Sequence, residues 1–195
     1  LITPRDGWAE LSPTDIWNGA KQVLSQVTAC LDRPVRAIAV SSAAQTVAPF
    51  DRQGQPLYNF ITTVDTRTGA QNRWWQDHAD EKAIFRRTGL PFSPIYTVNK
   101  LMWLREQEPD IFQSAWKFFL VEDYLTWRLS GEAVIDYSVA SRGMMLNIEK
   151  YRWDEEILAM AGIRAGQLSI PAKATTDLGP VRKEIAEMLR LPADT

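Results

Sequence analysis

The feature that most constrains the fold is the change of hydrophobic period at Pro34. Before it, Leu11-Ser12-Pro13-Thr14-Asp15 sets an N-cap serine, a proline at the first helical position and an acid in the first turn. The apolar residues that follow, Ile16, Trp17, Ala20, Val23, Leu24, Val27 and Leu31, have the spacing of one buried helical stripe. After Pro34, Val35-Arg36-Ala37-Ile38-Ala39-Val40 is short, β-branched and almost wholly apolar, the pattern of a central strand with both faces covered.

The alternation continues. Gln45 to Asp51 reads as a second strand, Asp51-Arg52-Gln53-Gly54-Gln55-Pro56 as a turn, and Asn59 to Val64 as a third strand completing a hairpin. Helix resumes near Thr68, breaks around Asp80 and ends at Thr88-Gly89-Leu90-Pro91, where glycine takes the left-handed cap and proline blocks continuation. Lys100 to Glu106 and Ile111 to Trp116 are two more helical pieces. Lys117 to Val121 then reads as a strand, Glu122 to Leu129 as a helix, Ser130-Gly131-Glu132 as a turn, and Asp154 to Ala161 as a helix closed by Gly162. Ala172 to Asp177 reads as a linker or the first edge of another element, and Val181 to Leu191 as a short terminal helix. Strands alternating with helices imply an α/β domain with helices packed on a mixed sheet.

Composition prunes the functions open to such a domain. At 195 residues, 45% hydrophobic and 24% charged, there is material for one sizeable core. Lysine and arginine number 22 against 24 acids, which leaves no positive excess for nucleic acid or an anionic membrane. No apolar run reaches the roughly 18 residues needed to cross a bilayer. Cys30 has no second cysteine to pair with and no Asn-x-Ser/Thr site occurs, which fits a reducing compartment, the cytoplasm. At the end of an amphipathic helix, Cys30 reads as a small buried hydrophobe and not as a nucleophile. His78 reads as part of a solvated face, and one histidine with one cysteine cannot make a typical zinc site. Neither Gly-x-x-x-x-Gly-Lys nor Gly-x-Gly-x-x-Gly is present, so no nucleotide loop of either common type is evident. Leu1 to Trp8 has neither a methionine nor a basic segment followed by an apolar stretch, and reads as the start of a truncated chain.

Three polar clusters follow expected strands, the place where α/β proteins usually hold ligands. They are Ser41-Ser42-Ala43-Ala44-Gln45-Thr46, Asp65-Thr66-Arg67, and Asp136-Tyr137-Ser138-Val139-Ala140-Ser141. Each alone has an ordinary explanation: Asp65 or Asp136 can cap a helix, and Arg67 can pair with a surface acid.

Taken in order, Gly7-Trp8-Ala9-Glu10, Ser41 to Asp51, Asp65-Thr66-Arg67, Thr97 to Leu104, Glu122 to Glu132, Asp136 to Ser141 and Trp153-Asp154-Glu155-Glu156 resemble the FGGY family of carbohydrate kinases, which contains glycerol, xylulose and gluconate kinases. The resemblance spans about residues 7 to 180. It implies an actin-like, ribonuclease-H-like domain truncated at its N-terminus. Residues 1–195 would then be the sugar-binding half of a two-domain enzyme, with 172–195 leading toward a missing C-terminal domain. The family's phosphate loop would lie upstream of Leu1 and its catalytic aspartate downstream of Thr195. No catalytic residue is therefore expected in this chain, which should be inactive alone, while the parent would use ATP and Mg2+.

The resemblance also implies a set of substrate contacts. Gln45 matches a position that is glutamate in glycerol kinases and histidine in xylulose kinases, and an amide that can both donate and accept suits a neutral polyol. Asp65 and Arg67 match a D-x-R motif; they can share adjacent sugar hydroxyls, or pair with one another and hold the loop. Tyr137 matches a substrate-contacting tyrosine and Asp136 its preceding acid, with a helix cap as the other reading of Asp136. Lys100 and Trp103 belong to a family signature, but their spacing is equally that of a snorkelling lysine and a core tryptophan. Ala44 stands where glycerol kinases carry arginine, and Thr63 where many members carry tryptophan. A roomier, more neutral pocket should suit a longer polyol or ketose. The reading of a different class is a non-catalytic α/β module that grips a sugar or a partner. Absent upstream strands would leave a sheet edge bare, from which a homodimer or aggregate is expected.

Overall fold

The structure, a computed structural model, describes residues 1–192 and Thr195. In chain order, strand β1 (Glu10–Leu11) leads to helix α1 (Pro13–Ala29), and β2 (Val47–Phe50) and β3 (Phe60–Ile61) to helices α2 (Gly69–His78), α3 (Glu81–Thr88), α4 (Thr97–Gln107) and α5 (Pro109–Ser114). Next come β4 (Lys117–Leu120), α6 (Val121–Ser130), β5 (Val134–Asp136) and α7 (Tyr137–Ser141). The chain continues with β6 (Leu146–Asn147), β7 (Arg152–Trp153), α8 (Glu155–Ala161), β8 (Ile170–Ala172) and α9 (Lys183–Leu189).

The helix boundaries follow their caps. Ser12 Oγ accepts from Asp15 N at 3.2 Å with Pro13 in the first turn of α1; Asp80 and Asp154 cap α3 and α8 in the same way. The stripe expected to run to Leu31 stops short. α1 ends at Ala29, Trp17 and Pro13 are buried, and Val23, Val27 and Leu31 are exposed. Cys30, expected to be buried, is exposed, because it sits beyond the part of α1 that packs on the core.

The central antiparallel sheet has the order β1-β3-β2-β4, with Val47 opposite Leu120 and Phe50 opposite Lys117. β2 is buried along its whole length, and its alternate side chains feed two cores. Val47, Phe118 and Leu120 face the first, with Leu101, Met102 and Leu104 of α4. Ala48, Phe50 and Phe119 face the second, with Trp17, Tyr124 and Trp127. Phe50 stacks on Tyr124 at 4.7 Å between ring centroids. The β2–β3 turn is tied by Asp51 Oδ1, which accepts from Gln53 N at 2.9 Å and Gln55 N at 2.8 Å. Gly54 in this turn has φ +76°, and a Cβ there would lie 2.1 Å from the ring of Trp127.

Parallel pairing occurs separately, between β5 and β8, and β6–β7 form an antiparallel pair. β8 shows that the stretch read as a linker begins with an edge element. The remainder of 172–195 holds α9, and Ala193 and Asp194 lie outside the described residues.

One expected element is missing. Val35–Val40 is not a strand: among the described residues, 31 to 44 make no backbone–backbone hydrogen bond. Arg36, Ala37 and Ala39 are exposed, and the others only half-buried. A strand exists by pairing, and no described strand lies alongside this one. Instead the segment walls a cavity of about 660 Å³, closed on the other side by Glu122, Thr126, Asp136, Lys173 and Leu178.

Candidate functional site

In the second polar cluster the Asp65 and Arg67 side chains are buried, and Gly7 to Glu10 hold the cluster. Asp65 Oδ2 accepts from Ala9 N at 2.7 Å and from Arg67 Nη2 at 2.7 Å. Its Oδ1 accepts from Arg67 N at 3.0 Å and Nε at 2.8 Å. Arg67 Nη2 also donates to Glu10 Oε1 at 2.7 Å, and Nη1 reaches Tyr58 Oη at 3.4 Å. The guanidinium lies 3.7 Å from the ring centre of Trp8 and 4.8 Å from that of Trp103. Burial pulls Arg67 toward losing its proton, but the bonds to Asp65 and Glu10 overcome that and raise it above the usual arginine range. Asp65 and Arg67 therefore pair with each other and hold the loop.

This explains each letter of Gly7-Trp8-Ala9-Glu10. Gly7 has φ +75°, and its carbonyl accepts from Thr66 N at 2.9 Å; a Cβ there would lie 2.4 Å from Thr66 Oγ1. Trp8 covers the guanidinium, Ala9 donates to Asp65, and Glu10 supplies the second carboxylate. Trp8 and Glu10 are site residues that the sequence reading quoted as a motif but gave no role.

Gln45 enters β2 through a left-handed turn, φ +69°, a conformation that costs a non-glycine residue roughly 1–2 kcal/mol. It is 6% exposed, and its Nε2 has no partner among the described residues. Its carbonyl accepts from Lys100 Nζ at 2.6 Å, and the same ammonium donates to Ile95 O at 2.9 Å. Lys100 is 0% exposed, so it does not snorkel: its stem runs inward from a helix that is buried from Thr97 to Leu104. Burial pushes its pKa down to about 7, with Asp65 opposing and Arg67 reinforcing the shift. Beside Gln45, Thr63 Oγ1 donates to Ala44 O at 3.1 Å, so the two positions expected to enlarge the pocket touch one another.

The third cluster opens α7. Asp136 Oδ1 caps α7 by accepting from Val139 N at 2.8 Å, and the residue lines the large cavity with Glu122. Tyr137 packs on Tyr151 at 4.9 Å. Among the described residues no hydrogen bond joins Asp136 or Tyr137 to Gln45; just past α7, Gly143 O accepts from Val98 N of α4 at 3.1 Å. Burial, then the nearby Asp136, raises Glu122 to about 7. His78, stacked on Trp74 at 4.7 Å, is exposed as expected.

The model of the FGGY family of carbohydrate kinases, N-terminal domain, matches residues 1–195. The chain belongs to this family. A glycerol kinase of Thermococcus gammatolerans is 33% identical to the FGGY domain over 193 residues, and a gluconokinase of Bacillus licheniformis is 30% identical over 196. These alignments take in 93% and 100% of this chain but 38% of each relative, so the chain spans about two fifths of the length of the curated relatives it matches. A solved gluconate kinase and a ligand-bound xylulose kinase, both from Lactobacillus acidophilus, each superpose with a TM-score of 0.94 at 28% identity. Each covers 100% of this chain and 40% of its own. The FGGY domain thus has the actin-like, ribonuclease-H-like fold expected of it. No described helix is long and apolar enough to cross a membrane.

Proposed function

We propose that the FGGY domain is the acceptor-binding half of an ATP-dependent kinase that phosphorylates a hydroxyl of a sugar, sugar acid or polyol. The observation that carries this reading is Gln45, a buried amide with an unpartnered Nε2 held in a left-handed turn beside the Asp65–Arg67 clamp. An unsatisfied buried donor is costly unless a ligand completes it. A sugar hydroxyl accepts from an amide N–H and can donate to its oxygen in return. Asp65 and Arg67 serve this contact by fixing the loop that faces it. Asp136 and Tyr137, at the start of α7, remain the other proposed sugar contacts. The Ala44–Thr63 contact leaves small side chains next to Gln45, which supports an acceptor longer than three carbons.

On this reading nucleotide binding and the base belong to other parts of the parent, and this domain's share is to bind and orient the acceptor. The backbone of Val35–Val40, which makes no backbone–backbone hydrogen bond among the described residues, supports self-association of the isolated domain.

The test is a phosphorylation screen with ATP and a panel of glycerol, D-gluconate, D-xylulose and longer polyols. The full-length parent should form ADP with at least one longer acceptor, and the 195-residue chain with none. A full-length protein that binds a sugar without turning over ATP would instead establish a non-catalytic binding module.

A further inference from the structure

Lys100 is out of character with its helix. Thr97 to Leu104 are all buried, and within that run a single side chain carries a charge. Among the described residues its ammonium forms no ion pair; its partners are two carbonyls, Gln45 O at 2.6 Å and Ile95 O at 2.9 Å. The first belongs to a residue in the left-handed region, the second to the loop that leads into α4. The ammonium thus joins the start of β2 to the start of α4 and holds the Gln45 peptide in its turn. An apolar side chain of similar volume would fill the same space with no charge to desolvate. What the ammonium adds is the orientation of Gln45, whose side-chain nitrogen has no partner among the described residues.

We infer that Lys100 is a positioning residue for the acceptor: by holding the Gln45 carbonyl it fixes the left-handed turn and aims the Gln45 amide at the sugar. This rests on the sugar-kinase reading above. The charged groups facing Lys100 are Asp65, which favours the ammonium, and Arg67, which opposes it. An uncharged amine keeps N–H donors but loses the charge-assisted strength of its bonds. The hold on Gln45 therefore loosens as pH rises through about 7, where burial places this group.

The experiment uses the full-length parent, with ATP and whichever of glycerol, D-gluconate or D-xylulose it phosphorylates best. Lys100→Met is expected to raise the sugar KM about tenfold, with the ATP KM unchanged and kcat altered by less than about twofold. Lys100→Arg should recover part of the loss. In a Gln45→Ala background Lys100→Met should change the sugar KM by less than about twofold, because its effect passes through Gln45. Wild-type sugar KM should climb above pH 7, while Lys100→Arg, which cannot deprotonate there, should not show that climb. An unchanged sugar KM in Lys100→Met, or a full tenfold loss in the Gln45→Ala background, overturns the inference while leaving the kinase reading intact. If Lys100→Met does not fold, Lys100→Arg decides: a KM that follows pH as the wild type does overturns it. A wild-type parent that phosphorylates nothing overturns the kinase reading, and this inference with it.

Discussion

Arg67 and Lys100 are two cations buried in the same polar centre, and they are neutralised in opposite ways. Arg67 meets two carboxylates and two tryptophan faces, so each of its polar nitrogens has a protein partner. Lys100 meets only carbonyl oxygens. The carboxylates raise Arg67 further above neutrality, while burial lowers Lys100 to about 7. A buried cation with full counter-charge holds structure together under all ordinary conditions. One bonded only to carbonyl dipoles is costly to keep charged and sensitive to pH, so its value has to lie in what it orients.

Removing each cation should separate the two roles. Arg67→Met takes from Asp65 and Glu10 the guanidinium that pairs with both, which is expected to cost about 3–5 kcal/mol. Thermal unfolding should then shift down by roughly 10 °C or more. An unchanged Tm would mean that the clamp is not what holds the Gly7–Glu10 turn to Asp65. Gly7→Ala attacks the same clamp through its backbone, at φ +75° and with Thr66 Oγ1 in the way, and should cost about 1–2 kcal/mol.

Lys100→Met should change Tm by no more than a few degrees, in contrast to Arg67→Met. The pH dependence has a definite sign. The Lys100 pKa is lowered from 10.5 unfolded to about 7 folded, so its contribution to stability is fully present above 10.5 and is lost as pH falls through about 7. The variant's stability relative to wild type should therefore grow from pH 10 to pH 7, as followed by urea unfolding.

Glu122, a buried acid facing Asp136 across the cavity wall, sharpens the comparison from the other charge. Its pKa is raised from 4.5 to about 7, so its contribution is present below 4.5 and lost as pH rises through about 7. Glu122→Gln should raise Tm at pH 8 by about 2–4 °C and flatten the slope between pH 4.5 and 7. The smallest effect expected is weak, concentration-dependent association of the isolated domain through Val35–Val40, diminished by Ile38→Lys. Sedimentation showing a monomer at all concentrations would contradict it.

What was legible in the sequence divides along the line between local and long-range causes. Ser12, Asp80 and Asp154 cap their helices as their positions imply, because a cap needs only the next three residues. The Asp51 turn is legible for the same reason. Val35–Val40 has strand composition but no described strand beside it, and composition does not supply a partner. β5 and β8 join segments 36 residues apart at Val134 and Ile170, too distant for any local pattern to pair them. In the site, Asp65-x-Arg67 is recognisable as a unit, and both of its readings follow from chemistry. The tertiary approach of Trp8 and Glu10 is what makes it a clamp. Lys100 looked like a snorkelling lysine because period places a residue on a face, whereas whether that face meets solvent depends on α2, α5 and α8 packing round α4.

The central claim is that Gln45 meets the acceptor of a kinase reaction. The measurement that tests it most directly is the initial rate of ADP formation by the full-length parent and its Gln45→Ala variant across the same sugar panel. The account predicts sugar-dependent turnover in the wild type and, in the variant, a sugar KM raised about tenfold or more with the ATP KM unchanged. A variant whose sugar KM equals that of an active wild type would contradict it.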